Sequence, residues 1–261
     1  MTNPTPHPAG TFCWVDLGAN DAAAAKKFYA GLFGWQMQDM PAGPDSVYTM
    51  LRVDGKDVGA LYTLGAEHKK MGIPPHWGSY IAVESADATA EKARALGAKF
   101  FAEPFDVFDL GRMAMMQDPT GAAICVWQAM KHAGAQVLGA PGALCWNELL
   151  TTDTRAAGAF YARLFGWGTK DTEMAQGGAY TIFTLGEKQV GGMMPMMPGW
   201  EGVPSNWMVY FAVANCDGSA AKARGLGAEV VVPPTDIPKI GRFAVVQDPQ
   251  RAVFAIIRLN G

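Results

Sequence analysis

The chain has 261 residues, 49% of them hydrophobic and 17% charged, with a formal net charge of −3. That size and balance fit one large or two ordinary globular domains and exclude the disordered, collagenous and coiled-coil classes. No basic run is longer than Lys69–Lys70, so nothing attracts nucleic acid or an anionic membrane, and neither is expected as a partner.

The first eight residues carry three prolines and no apolar core, so they do not read as a secretory signal. No stretch reaches the roughly 18 apolar residues that span a bilayer. Cys13, Cys125, Cys145 and Cys216 lack CxxC spacing and are expected as buried thiols in a cytoplasmic protein.

A short apolar strand, Phe12–Leu17, leads to Asp21, an N-cap candidate, and an Ala-rich helix ending near Gly34. Val47–Val53 and Val58–Leu64 read as strands joined by the Asp54-Gly55 pair of a type I′ hairpin. The pattern restarts with strand Tyr80–Val83, Asp87 as cap, a helix to Leu96, and Gly97 just past its end. Asp118-Pro119-Thr120-Gly121 makes a hairpin turn before the last strand.

Shifted by 132 residues, Phe12–Trp35 falls on Leu144–Trp167 with 13 identities in 24 positions. Shifted by 130, Trp77–Ala98 falls on Trp207–Ala228 with 12 identities in 22. The chain is therefore a tandem duplication, with domains at 1–130 and 143–261 and a Gly/Ala-rich linker at 131–142. Each copy halves again: Trp14 and Tyr80 both stand seven residues before an Asp, as do Trp146 and Tyr210. Four βαβββ modules in an α+β fold result.

The strand, the Asp, the FYAGLFGW and FYARLFGW helices and the QDP hairpins together resemble the glyoxalase/bleomycin-resistance (vicinal oxygen chelate) superfamily. The resemblance spans roughly residues 10–130 and 142–258. It implies that paired modules curl their sheets into a cup that holds the ligand. Metal-dependent members place His, Gln or Glu at three cup-facing positions. Carried over, these are Trp14, Tyr80 and Cys125 in the first domain, and Trp146, Tyr210 and Ala255 in the second. An indole N–H only donates and Ala has no lone pair, so no metal and no cofactor is expected. His7, His68, His76 and His132 lie in tail, loops and linker, where each reads as a solvated side chain.

Strand alternation puts Phe12, Trp14 and Asp16 on one face, and Leu144, Trp146 and Glu148 on its duplicate. With Tyr80, Cys125, Trp127 and Tyr210, these residues are expected to line aromatic chambers. Met194, in the methionine-rich run from Met193 to Trp200, is a candidate cover, since methionine moulds to varied apolar partners. That run packs on the first domain in the alternative reading. Asp16 and Glu148 are the catalytic candidates, as general bases or anchors for a cationic group. The simpler reading pairs them at the rim with Arg112 or Arg242.

Three functions remain open. The first is a metal-free protein that binds or sequesters a small hydrophobic or aromatic molecule, as a monomer or homodimer. The second is a glyoxalase- or hydroxylase-type enzyme acting on a small carbonyl or aromatic substrate. The third is a structural module with filled cups.

Overall fold

The computed structural model describes residues 6–43, 46–173, 178–197, 199–200 and 202–260. Residues 1–5 of the proline-rich tail, the Lys69 side chain and Pro198 of the methionine-rich run fall outside this set.

The first module contains β1 (Phe12–Ala19), α1 (Ala22–Phe33), β2 (Gln36–Gly43), β3 (Ser46–Val53) and β4 (Lys56–Thr63), then the short α2 (Ala66–Lys70). The second contains β5 (His76–Ala82), α3 (Ala86–Ala95), β6 (Lys99–Val107), β7 (Gly111–Gln117) and β8 (Ala123–Ala129). The third runs β9 (Leu144–Thr151), α4 (Thr154–Phe165), β10 (Gly168–Glu173), β11 (Ala179–Leu185), β12 (Lys188–Pro195). The fourth runs β13 (Asn206–Ala212), α5 (Cys216–Gly225), β14 (Glu229–Ile237), β15 (Gly241–Gln247), β16 (Val253–Leu259). The strands make two eight-stranded sheets, ordered β2-β3-β4-β1-β5-β8-β7-β6 and β10-β11-β12-β9-β13-β16-β15-β14. The fold is α+β, and the four modules are those that the repeat defines. None of the described helices is long and apolar enough to cross a membrane.

The local signals act as their chemistry requires. Asp21 caps α1 by accepting from Ala24 N at 3.0 Å, and Gly34 ends it in the left-handed region at φ 73°. The buried face of α1, Ala25, Phe28, Tyr29 and Leu32, has helical spacing. Asp54 and Gly55 both adopt positive φ, 49° and 74°, as a type I′ turn needs.

Two expectations are corrected. Asp87 and Asp217 do not cap their helices; Ser85 and Asn215, two residues earlier, accept from Ala88 N and Gly218 N. Each aspartate stands in the first helical turn, where its charge still suits the helix dipole. Strands β2 and β10 are the first of the three strands that the βαβββ pattern requires after α1 and α4, and the sequence alone does not bound them. They are sheet edges with almost wholly exposed side chains, so they lack an apolar alternation.

By packing, the chain divides into two compact units. One takes the chain up to Trp14, Ser79–Gly134 and Trp146–Met208; the other takes Val15–Gly78, Ala135–Cys145 and Val209–Gly261. Each unit has one polar bolt through an aromatic core. In the first, Trp207 Nε1 donates to Tyr161 Oη (2.8 Å), which donates to Asp118 Oδ2 (2.9 Å). In the second, Trp77 Nε1 donates to Tyr29 Oη (3.0 Å), which donates to Asp248 Oδ2 (3.0 Å). Thus the FY tyrosine of one module fastens to the QDP turn of another within the same unit. Burial and the neighbouring carboxylate push both tyrosine hydroxyls far above their usual pKa.

Candidate functional site

A buried carboxylate recurs on the first strand of each copy, and a tyrosine holds each one. Asp16 lies on β1 beside Ala60 of β4, 4% exposed, and Tyr48 Oη donates to its Oδ2 at 3.0 Å. The rings of Tyr48 and Tyr62 stack with centroids 6.3 Å apart. Glu148 lies on β9 beside Gly192 of β12, 7% exposed. Tyr180 of β11 hydrogen-bonds to it, and Trp146 Nε1 donates to Tyr180 Oη at 2.9 Å.

Gly192 makes that approach possible, because a Cβ there would come within 1.9 Å of Tyr180 Oη. Burial raises the Tyr180 pKa far above 10, and the Glu148 charge adds to it. The phenol therefore stays neutral and donates a hydrogen bond to Glu148. Trp146, Tyr180 and Met194 are each half-buried. No local motif marks Tyr48 or Tyr180 in the sequence. The 132-residue shift does place Tyr48 on Tyr180, but the donor's identity depends on the strand order that brings β3 and β11 near.

Arg112 and Arg242 are each engaged by two acids other than Asp16 and Glu148. Arg112 bridges Asp87 and Asp106 at 2.7 and 2.8 Å, and Arg242 bridges Asp217 and Asp236 at 2.7 and 3.0 Å. These aspartates are exposed, so each pair adds little to stability. The arginine hydrogen bonds hold the carboxyls of Asp87 and Asp217 below the usual range.

Trp14, Tyr80, Cys125 and Trp127 come together within the first unit. Tyr80 of β5 stands opposite Cys125 of β8, and Ala82 opposite Trp127. All four are buried, at 4%, 8%, 4% and 7% exposure. His132, expected as a solvated linker side chain, instead packs its ring edge-on to Trp14 at 4.6 Å and lies 6.0 Å from Trp127. Trp127 Nε1 donates to His132 O at 2.8 Å. Tyr210 belongs to the second unit, opposite Ala255, with Phe243 at 6.4 Å.

The metal positions do not fit a metal ion. Two hold tryptophan and one alanine, and the described residues contain no group of three His, Cys, Asp or Glu that could ligate one. Burial pushes Cys145 up to about 12 and Cys216 up to about 11, so neither is a thiolate at neutral pH.

Comparison with known proteins agrees with this architecture. The Glyoxalase/Bleomycin resistance protein/Dioxygenase superfamily matches residues 11–126, and the Glyoxalase-like domain matches residues 143–257. A Mycobacterium bovis protein, CFP32, provisionally named a glyoxylase, is 45% identical over 253 residues, covering 95% of each chain. The anthracycline biosynthesis protein DnrV of Streptomyces peucetius is 36% identical over 96% of this chain and 94% of its own. The Mn(II)-bound glyoxalase of Novosphingobium aromaticivorans superposes with TM-score 0.66 at 17% identity, covering 96% of this chain and 82% of that one. At that identity the likeness speaks for the fold alone.

Proposed function

The chain belongs to the glyoxalase/bleomycin resistance protein/dioxygenase superfamily, and we propose that it uses this fold to bind a small aromatic molecule without a metal ion. The observation that carries the reading is the duplicated tyrosine–carboxylate pair, Tyr48–Asp16 and Tyr180–Glu148, set on strands whose family metal positions hold aromatic or aliphatic side chains. Half-buried rings offer stacking area, and a carboxylate accepts several hydrogen bonds at once. Glu148 can then hold Tyr180 and a ligand hydroxyl together. The name of the Streptomyces peucetius relative ties that protein to anthracycline biosynthesis. From it we carry over only a class, planar fused-ring phenols.

Trp146→Ala tests the reading. Because Trp146 is half-buried, its loss should cost only about 1 kcal/mol of stability, well short of the ~3–5 kcal/mol of a core tryptophan. Binding of 1,8-dihydroxyanthraquinone should weaken roughly tenfold, the scale of a lost aromatic stack. Denaturant unfolding and fluorescence titration measure the two effects. A large stability loss with unchanged binding would favour a filled core.

A further inference from the structure

We infer that the two copies are not equivalent: the chain's own linker fills the first aromatic cluster with His132, and the one ligand site lies at Trp146, Tyr180, Glu148 and Met194. This rests on the binding function proposed above and assigns it to one copy.

The linker is fixed where it passes the first cluster. Met130 N and His132 N both donate to Leu110 O, at 3.0 and 2.9 Å. Two residues on, Gly134 takes φ 108° and runs so close to β1 that a Cβ would sit 2.4 Å from Cys13 O. Between these anchors the His132 ring meets the Trp14 ring at 87°, and its carbonyl takes the Trp127 N–H. An indole N–H is the one hydrogen-bond donor a tryptophan has, and here the linker backbone uses it. Trp14 is left 4% exposed and Trp127 7%. A planar ligand seeking to stack on Trp14 meets an imidazole already in place.

The same face in the second copy is arranged otherwise. Trp146 turns its N–H to Tyr180 at 2.9 Å, and the residue is half-buried where Trp14 is fully buried. Tyr180 in turn donates to Glu148, so the indole orients the phenol and the phenol orients the carboxylate before a ligand arrives. Met194 stands on β12 beside Leu150 of β9, half-buried. An oriented carboxylate next to an accessible indole selects a flat aromatic that carries a hydroxyl over a purely hydrocarbon ring.

Equilibrium dialysis with 1,8-dihydroxyanthraquinone, and with anthracene as the hydroxyl-free control, tests this on the full chain. The parent should bind one phenol per chain, at least tenfold tighter than anthracene. Tyr180→Phe should weaken the phenol threefold or more and leave the stoichiometry at one. His132→Gly, with circular dichroism to verify folding, should raise the stoichiometry to two, and His132→Ala is the second variant if glycine loosens the linker. Two equal sites in the parent would overturn the inference while sparing the binding function. So would a stoichiometry of one in both folded His132 variants, or phenol binding indifferent to Tyr180→Phe. Absence of binding in the parent would overturn the proposed function and this inference with it.

Discussion

Asp248→Ala should destabilise the protein by about 3–5 kcal/mol, because one carboxylate closes a turn and anchors a core tyrosine together. Asp248 is 4% exposed. Its Oδ1 accepts from Gln250 N at 2.8 Å and Ala252 N at 2.9 Å, and its Oδ2 accepts from Tyr29 Oη. Alanine would take this acceptor from the Tyr29 hydroxyl, whose ring packs against Trp77, Trp35 and Phe254. A buried hydroxyl stranded in that way costs about 1–3 kcal/mol, and the opened turn adds to it. Asp248→Asn keeps the turn acceptor and should cost less, about 1–2 kcal/mol. Urea unfolding checks both, read as a shift of midpoint at constant slope. A loss below about 1 kcal/mol for alanine would mean that water replaces the bolt without penalty.

Gly134→Ala should cost roughly 2–4 kcal/mol, while Gly139→Ala in the same linker should cost only about 1 kcal/mol. Both glycines have positive φ, 108° and 76°. At Gly139 nothing lies within 4 Å of an added Cβ, so backbone strain is the whole expense. At Gly134 the Cβ would meet Cys13 O at 2.4 Å, and Cys13 lies in fully buried β1, whose backbone has no room to yield. Thermal melting of the two variants side by side separates strain from collision. Equal losses would show that the linker leaves β1 freely.

The modules were legible because duplication writes the same motif twice, and Asp21, Asp54-Gly55 and Gly34 act through neighbours a few residues away. Features set by distant pairing were not legible. Tyr48 and Tyr180 look like ordinary strand tyrosines until the strand order carries them to Asp16 and Glu148. The attachment of Tyr29 to Asp248 spans 219 residues, and identical motifs in each copy cannot say which module clasps which. His132 illustrates the same limit: a Gly/Ala-rich segment reads as solvated linker, yet its ring packs on Trp14. Exposure hid the edge strands β2 and β10, since a strand that buries nothing has no pattern to betray it.

The most direct test of the proposed function is a fluorescence titration of the protein with 1,8-dihydroxyanthraquinone after exhaustive EDTA dialysis, repeated with Mn(II) or Zn(II) restored. Trp146 at the site makes quenching of tryptophan emission the natural signal. The proposed function predicts saturable quenching with the same affinity, within twofold, in the stripped and restored samples. It also predicts that Glu148→Gln weakens binding in both to the same degree. Binding that disappears on chelation and returns with a stoichiometric metal ion would contradict it.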